Sequence, residues 1–135
     1  MIKKAQTYLH PFRIRQEDVN RFSEITGDKN PIHINADYAA KTMFKRPIMH
    51  GMLGASIFSK VLGTLFPGEG TIYLKQSLNF NKPMYVDTDY EAVFTVLEIL
   101  EKKNRAVIET VIRDKLSGKI CTSGEAVVLN VDKIK

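Results

Sequence analysis

The residues best suited to acid–base chemistry lie close together in ITGDKNPIH, residues 25–33, where Asp28 offers a carboxylate and His33 an imidazole between the breakers Gly27 and Pro31. Imidazole titrates near neutral pH, and with a carboxylate beside it the pair can accept and return a proton to one water. Five residues of extended chain reach about 17 Å, too far for both groups to touch one water, so the segment has to fold back. Asn30-Pro31 supplies the turn, and the Asn30 side chain can hold it by hydrogen-bonding nearby backbone. The same residues also suit a plainer use, in which Asp28 caps backbone amides and His33 is an ordinary partly buried histidine.

The elements that must position this pair follow from periodicity. Residues 7–14 (TYLHPFRI) read as an edge strand, because Pro11 has no N–H for a central ladder. Residues 17–26 read as a short amphipathic helix, with acids in its first turn, Val19, Phe22 and Ile25 at helical spacing, and Gly27 as its stop. Asn35 is placed to cap a second short helix through ADYAAKTMF. Residues 50–66 (HGMLGASIFSKVLGTLF) carry apolar side chains around much of a helix, which predicts a helix mostly wrapped by protein. Its glycines keep it thin, for close packing or for a ligand. His50, at its start, is expected to shape the turn.

From residue 71 the period becomes two. One strand is expected over Ile72, Leu74 and Ser77 to Phe80; a second through Tyr90, Ala92, Phe94 and Val96; a third through Ala106, Ile108, Thr110 and Ile112; a fourth over 120–131. Strands in series separated by NKP, EKKN and LSGK make an antiparallel sheet, and a sheet with one buried helix is an α+β layer curled around that helix. No repeat, linker or low-complexity tract divides residues 1–135, so one domain is expected.

Composition narrows the function classes. A chain of 135 residues with 44% hydrophobic and 26% charged residues fits one ordinary globular domain and is short for a TIM barrel or a two-domain dehydrogenase. The single Cys121 cannot make an intrachain disulfide, and Cys121, His10, His33 and His50 show no zinc-ligand spacing, so no metal is expected. No apolar run approaches the ~20 residues that cross a bilayer, and a cytoplasmic protein is expected. The net charge of +5 first suggests nucleic acid, but the basic residues are scattered and no nucleic-acid-binding motif surrounds them. A small phosphate-bearing ligand suits the same surplus.

The run FSEITGDKNPIH, joined at a similar spacing to RPIMHGMLGASIFSKVLG, resembles the R-specific enoyl-CoA hydratases, also called hydratase 2 or MaoC-like dehydratases. The resemblance covers nearly the whole chain, and the GDxNPxH motif together with HGM is its specific part. It implies the hot-dog fold, an antiparallel sheet wrapped around a central helix, and reversible hydration of trans-2-enoyl-CoA to (R)-3-hydroxyacyl-CoA. It further implies that Asp28 and His33 hold the reacting water, that Asn30 supports the loop, and that the Gly51 N–H donates to the thioester oxygen. The first amides of a helix lack acceptors, and Gly51 adds no Cβ in the way. Ser59 matches a serine lining the family's pocket.

Met52 and Leu53, with Met43, Phe44 and Leu65, are candidates for the acyl wall. No cofactor is expected beyond the CoA that the substrate carries; acyl carrier protein is the alternative carrier. Lys41, Lys45, Arg46, Lys60, Lys75 and Lys82 are candidate phosphate contacts. The resembling family forms dimers, and uncovered sheet edges argue for at least a homodimer here. Two other readings stand beside hydration: a hot-dog thioesterase and a non-catalytic acyl-CoA binding or regulatory module. Thioesterases of this shape carry a carboxylate on or near the long helix, and residues 50–66 contain no Asp or Glu.

Overall fold

The computed structural model describes residues 1–135. Its elements, in chain order, are β1 (Thr7–Phe12), α1 (Gln16–Thr26), α2 (Pro31–Ile34), α3 (Ala36–Ala40), α4 (Gly51–Thr64), β2 (Ile72–Gln76), β3 (Asn79–Phe80), β4 (Tyr90–Leu100), a 3-10 turn (Glu101–Lys103), β5 (Arg105–Asp114) and β6 (Ile120–Leu129). The strands form one antiparallel sheet in the order β1-β4-β5-β6-β2, with β3 extending the β2 side against β6. This is the α+β hot-dog arrangement, in which α4 lies against the inner face of the sheet.

Alternation creates that inner face. Tyr90, Ala92, Phe94 and Val96 of β4 and Ala106, Ile108, Thr110 and Ile112 of β5 are all buried, and the register pairs Ala92 with Ile112, Phe94 with Thr110 and Val96 with Ile108. Thr110 is tolerated inside because its Oγ1 accepts a 2.9 Å hydrogen bond from Gln76 Nε2. Against this face α4 packs Phe58, Val61 and Leu62, with the Phe58 ring edge-on to Phe94 at 5.8 Å. Each such side chain contributes roughly 1.5–3 kcal/mol, and together they hold α4 across the sheet. β1 is an edge strand, as Pro11 requires.

Several expectations change. NKP does not make a hairpin between neighbouring strands: the expected strand over 72–80 breaks into β2 and β3, and both pair with β6 instead of β4. Gly124 permits this arrangement, since a Cβ there would lie 1.8 Å from the Ser77 carbonyl oxygen. In α1 the inward stripe is Val19 and Ser23; Ile25, six residues from Val19 and about 240° round the helix, is 84% exposed. The helix expected to be mostly wrapped is covered on one side only. Met52 and Leu65 are exposed, as are Ser56 and Ser59. The expected helix after Asn35 stops at Ala40, and the unassigned PIHI becomes α2.

One apolar edge is left open at the β2 side. Ile72, Tyr73, Leu74 and Phe80 are exposed along this edge, and β2 has a ladder partner on one side only. No helix is long and apolar enough to cross a membrane. Cys121 is a buried free thiol.

Candidate active site

The loop between α1 and α4 folds back by a series of local caps. Gly27 ends α1 in the left-handed conformation (φ 79°), and its N–H donates to the Ser23 carbonyl. The Asp28 N–H then donates to Thr26 Oγ1 at 3.1 Å, and Asp28 Oδ1 accepts from the Asn30 N–H at 3.4 Å. Asn30 Oδ1 accepts from the Ile32 N–H at 3.2 Å and so caps α2, whose first residue is Pro31. Asn30 therefore supports the loop and does not line the cleft. One turn of α2 delivers His33.

Two bonds anchor the end of α2. Gln16 Nε2 donates to the His33 carbonyl at 2.9 Å, and the Ile48 N–H donates to the Ile32 carbonyl at 3.1 Å. The His33 ring lies with Nδ1 2.8 Å from the Ile48 carbonyl oxygen. A carbonyl accepts only, so Nδ1 carries the hydrogen, and Nε2 of the neutral ring is the free acceptor. That tautomer is the one a proton acceptor in the cleft needs.

Asp28, His33 and His50 come together, with one ligand-type atom from each within 4.8 Å of the others. His33 and His50 stack at 3.9 Å between ring centroids. Linear spacing gave no sign of this trio, because His50 arrives from the far end of the loop, at the N-cap of α4. One nitrogen of each ring is held, His33 Nδ1 by Ile48 and His50 Nε2 by Ser23 and the Asp28 main chain, and the Asp28 carboxylate and His33 Nε2 are suited to moving a proton.

The cleft itself has a volume of ≈ 400 Å³. Asp28, His33, His50 and Gly51 form its polar end, and Phe44, Ile48, Met49, Met52, Phe80 and Met84 provide its apolar lining. Gly51 opens α4, and its N–H has no hydrogen-bond partner within the chain. The helix dipole adds positive potential at that amide. A Cβ at Gly51 would lie 2.7 Å from the Phe80 ring, so glycine lets amide and aromatic wall approach this closely without a shift of that ring.

The other sequence candidates divide. Met52 and Phe44 line the cleft. Leu53 does not; it is partly buried against the core. Ser59 is absent from the cleft as well, because it sits seven residues, about 10 Å along the helix, beyond Met52 on the uncovered face of α4. Met43 and Leu65 are exposed and do not line the cleft. Of the basic candidates Lys82 lines it, and the Arg46 guanidinium lies 3.8 Å over the Tyr85 ring. Lys60 instead faces His10, with 3.4 Å between Nζ and Nε2.

The chain is similar to known proteins over most of its length. The family described as MaoC like domain matches residues 2–118. An (R)-specific enoyl-CoA hydratase of Rhodospirillum rubrum is 38% identical over 128 residues, covering 95% of this chain and 88% of the relative. One from Aeromonas caviae is 42% identical over 116 residues, covering 86% of each. Among solved structures, an (R)-hydratase from A. caviae involved in PHA biosynthesis superposes with a TM-score of 0.91 at 39% identity, covering 96% of this chain and 97% of that one.

Proposed function

The chain belongs to the MaoC-like family, and from that premise we propose that it is an R-specific enoyl-CoA hydratase, a hydro-lyase that adds water reversibly to trans-2-enoyl-CoA. The observation that carries the reading is the convergence of Asp28, His33 and the unpartnered Gly51 amide on one cleft with an apolar wall.

In the hydration direction the thioester oxygen accepts the Gly51 N–H, and the enoyl chain lies along Met52, Phe80 and Met84. One water sits between the Asp28 carboxylate and His33 Nε2. As its oxygen bonds C3, the pair takes a proton from it and delivers one to C2 on the same face, a syn addition giving (R)-3-hydroxyacyl-CoA. Negative charge that gathers on the thioester oxygen is met by the Gly51 amide and the N-terminus of α4. Asp28 and His33 share the acid and base roles on that one water. No cofactor is required beyond the CoA of the substrate. Lys82 at the cleft is the basic residue best placed for its phosphates or those of an acyl carrier protein, and we place the reaction in the cytoplasm.

The thioesterase alternative lacks support in the helix, since Gly51–Thr64 contains no carboxylate. A non-catalytic acyl-CoA module would leave the anchored tautomer of His33 without a use. The assay follows the enoyl absorbance of crotonyl-CoA with free thiol monitored in parallel. The expected result is loss of the enoyl band without thiol release and an (R)-3-hydroxy product on chiral analysis. Thiol release with the enoyl group intact would make the protein a thioesterase, and an S product would remove the stereochemical assignment.

The working unit in this reading is one domain, residues 1–135, assembled as a homodimer. Support comes from the apolar, one-sided β2 edge and from the uncovered face of α4 that carries Ser59. A second chain across that face is what would bring Ser59 to the acyl path. Light scattering at micromolar concentration is expected to give at least twice the 15.3 kDa chain mass, and a monomeric mass would contradict the assembly.

A further inference from the structure

His50 is built into the site without belonging to its acid–base pair. Its residue exposure is 3%, and its ring meets His33 at 3.9 Å with 28° between planes and Phe22 at 4.8 Å with 59°. Nε2 lies 3.0 Å from Ser23 Oγ and 3.2 Å from the Asp28 carbonyl oxygen. Because that carbonyl only accepts, Nε2 carries the hydrogen. Nδ1 is then a bare acceptor, and it is buried with no partner.

We propose that His50 is the positioning residue of this site: a neutral imidazole protonated at Nε2, it fastens the Asp28 main chain to α1 and α4 and fixes the plane of the His33 ring by stacking. The inference rests on the hydratase reading for the reaction it serves. Three elements meet at this side chain. Ser23 belongs to α1, Asp28 to the loop, and His50 itself caps α4 one residue before the Gly51 amide. A single imidazole thus sets the spacing between the acid–base pair and the oxygen-binding amide. Ser23 explains itself in the same way: a polar residue occupies the inward stripe of α1 because its hydroxyl meets Nε2.

Neutrality matters for the stacked pair. An imidazolium at His50 would oppose positive charge on the stacked His33 ring whenever the shared proton rests there. Burial pushes the His50 pKa below its ordinary value and the charge of His33 adds to the lowering, while the Asp28 carbonyl bond and the Asp28 carboxylate work against it. The titratable groups facing it are His33 from α2 and Asp28 from the loop; α1 presents only Ser23 and Phe22. The buried, acceptor-only Nδ1 is consistent with a ring kept uncharged.

Two measurements test this. In 15N-histidine NMR of the wild type at pH 7, His50 is expected as the neutral form protonated at Nε2, and either an imidazolium or protonation at Nδ1 overturns the proposal. In kinetics, His50→Phe keeps an aromatic ring beside His33 but removes the donor, and is expected to lower kcat by about 10²-fold, as a small misplacement of reacting groups does, with little change in KM. His50→Gln, whose amide reaches the Nε2 position, is expected to recover much of that kcat. If His50→Phe keeps full kcat, or if His50→Gln is no better than His50→Phe, the role is refuted. A wild type that leaves enoyl thioesters unchanged sinks the hydratase reading instead, and the tautomer still reports on His50 independently.

Discussion

Asp28→Asn and His33→Ala are each expected to lower kcat by about 10² to 10⁴-fold, the range that positioned acid–base groups contribute. Both side chains face one water in the proposed reaction, so neither does half the work alone. The double variant should consequently fall little below the worse single variant, whereas two independent effects would multiply. Stability should barely move for Asp28→Asn. Its carboxylate is exposed, and its recorded side-chain bond is a long one, 3.4 Å, from the Asn30 N–H, so the change belongs with surface substitutions of about ±0.5 kcal/mol. Steady-state rates on crotonyl-CoA alongside denaturant midpoints for the four proteins decide the matter. Retention of full activity by either single variant, or multiplicative losses in the double, would break the shared-water mechanism.

Gly51→Pro should cost a further large factor for a different reason. Proline is well suited to the first position of a helix, and the preceding His50, at φ −58° and ψ 132°, already has the backbone that a residue before proline must adopt. The Gly51 N–H bonds nothing within the chain, so its removal orphans no partner. Gly51→Ala is the matched control, since it brings the same Cβ toward Phe80 but keeps the amide. We expect Gly51→Pro to lie about 10² to 10³-fold below Gly51→Ala in kcat, the loss of one oxygen-binding donor, or about 2.7–4 kcal/mol. Equal rates for the two variants would move the donor role away from Gly51.

The parts of this protein legible in its sequence are those governed by local rules. Gly27 as a stop, Asn35 as a cap, the alternation through β4 and β5 and the Pro11 edge strand each depend on a few neighbouring residues, and each stands as expected. The turn at Asn30-Pro31 was readable for the same reason, because Asn30 bonds its own neighbour Ile32, whereas the helical turn α2 that follows was not. What escaped is non-local. β2 and β3 pair with β6 across about fifty residues, a choice made by side-chain coverage and by the close approach at Gly124 rather than by the NKP turn. His50 was expected only to shape a turn, and its place between Ser23, Asp28 and His33 follows from packing α1 against the start of α4. A signal was present in two oddities, a serine on the inward stripe of α1 and a histidine heading an apolar helix. Ile25 misled because spacing from Phe22 fits a helix without fixing which side of it is inward.

If the proposed homodimer forms, the one-sided covering of α4 and the apolar β2 edge place part of the molecule's stability outside a single chain. In the assembly proposed above, the free energy that keeps α4 seated includes association, so it obeys mass action. Each tenfold dilution toward the dissociation constant removes about 1.4 kcal/mol from the folded dimer. A substitution on β2 far from Asp28 would then act on turnover through protein concentration, failing in dilute assays while looking harmless in concentrated ones.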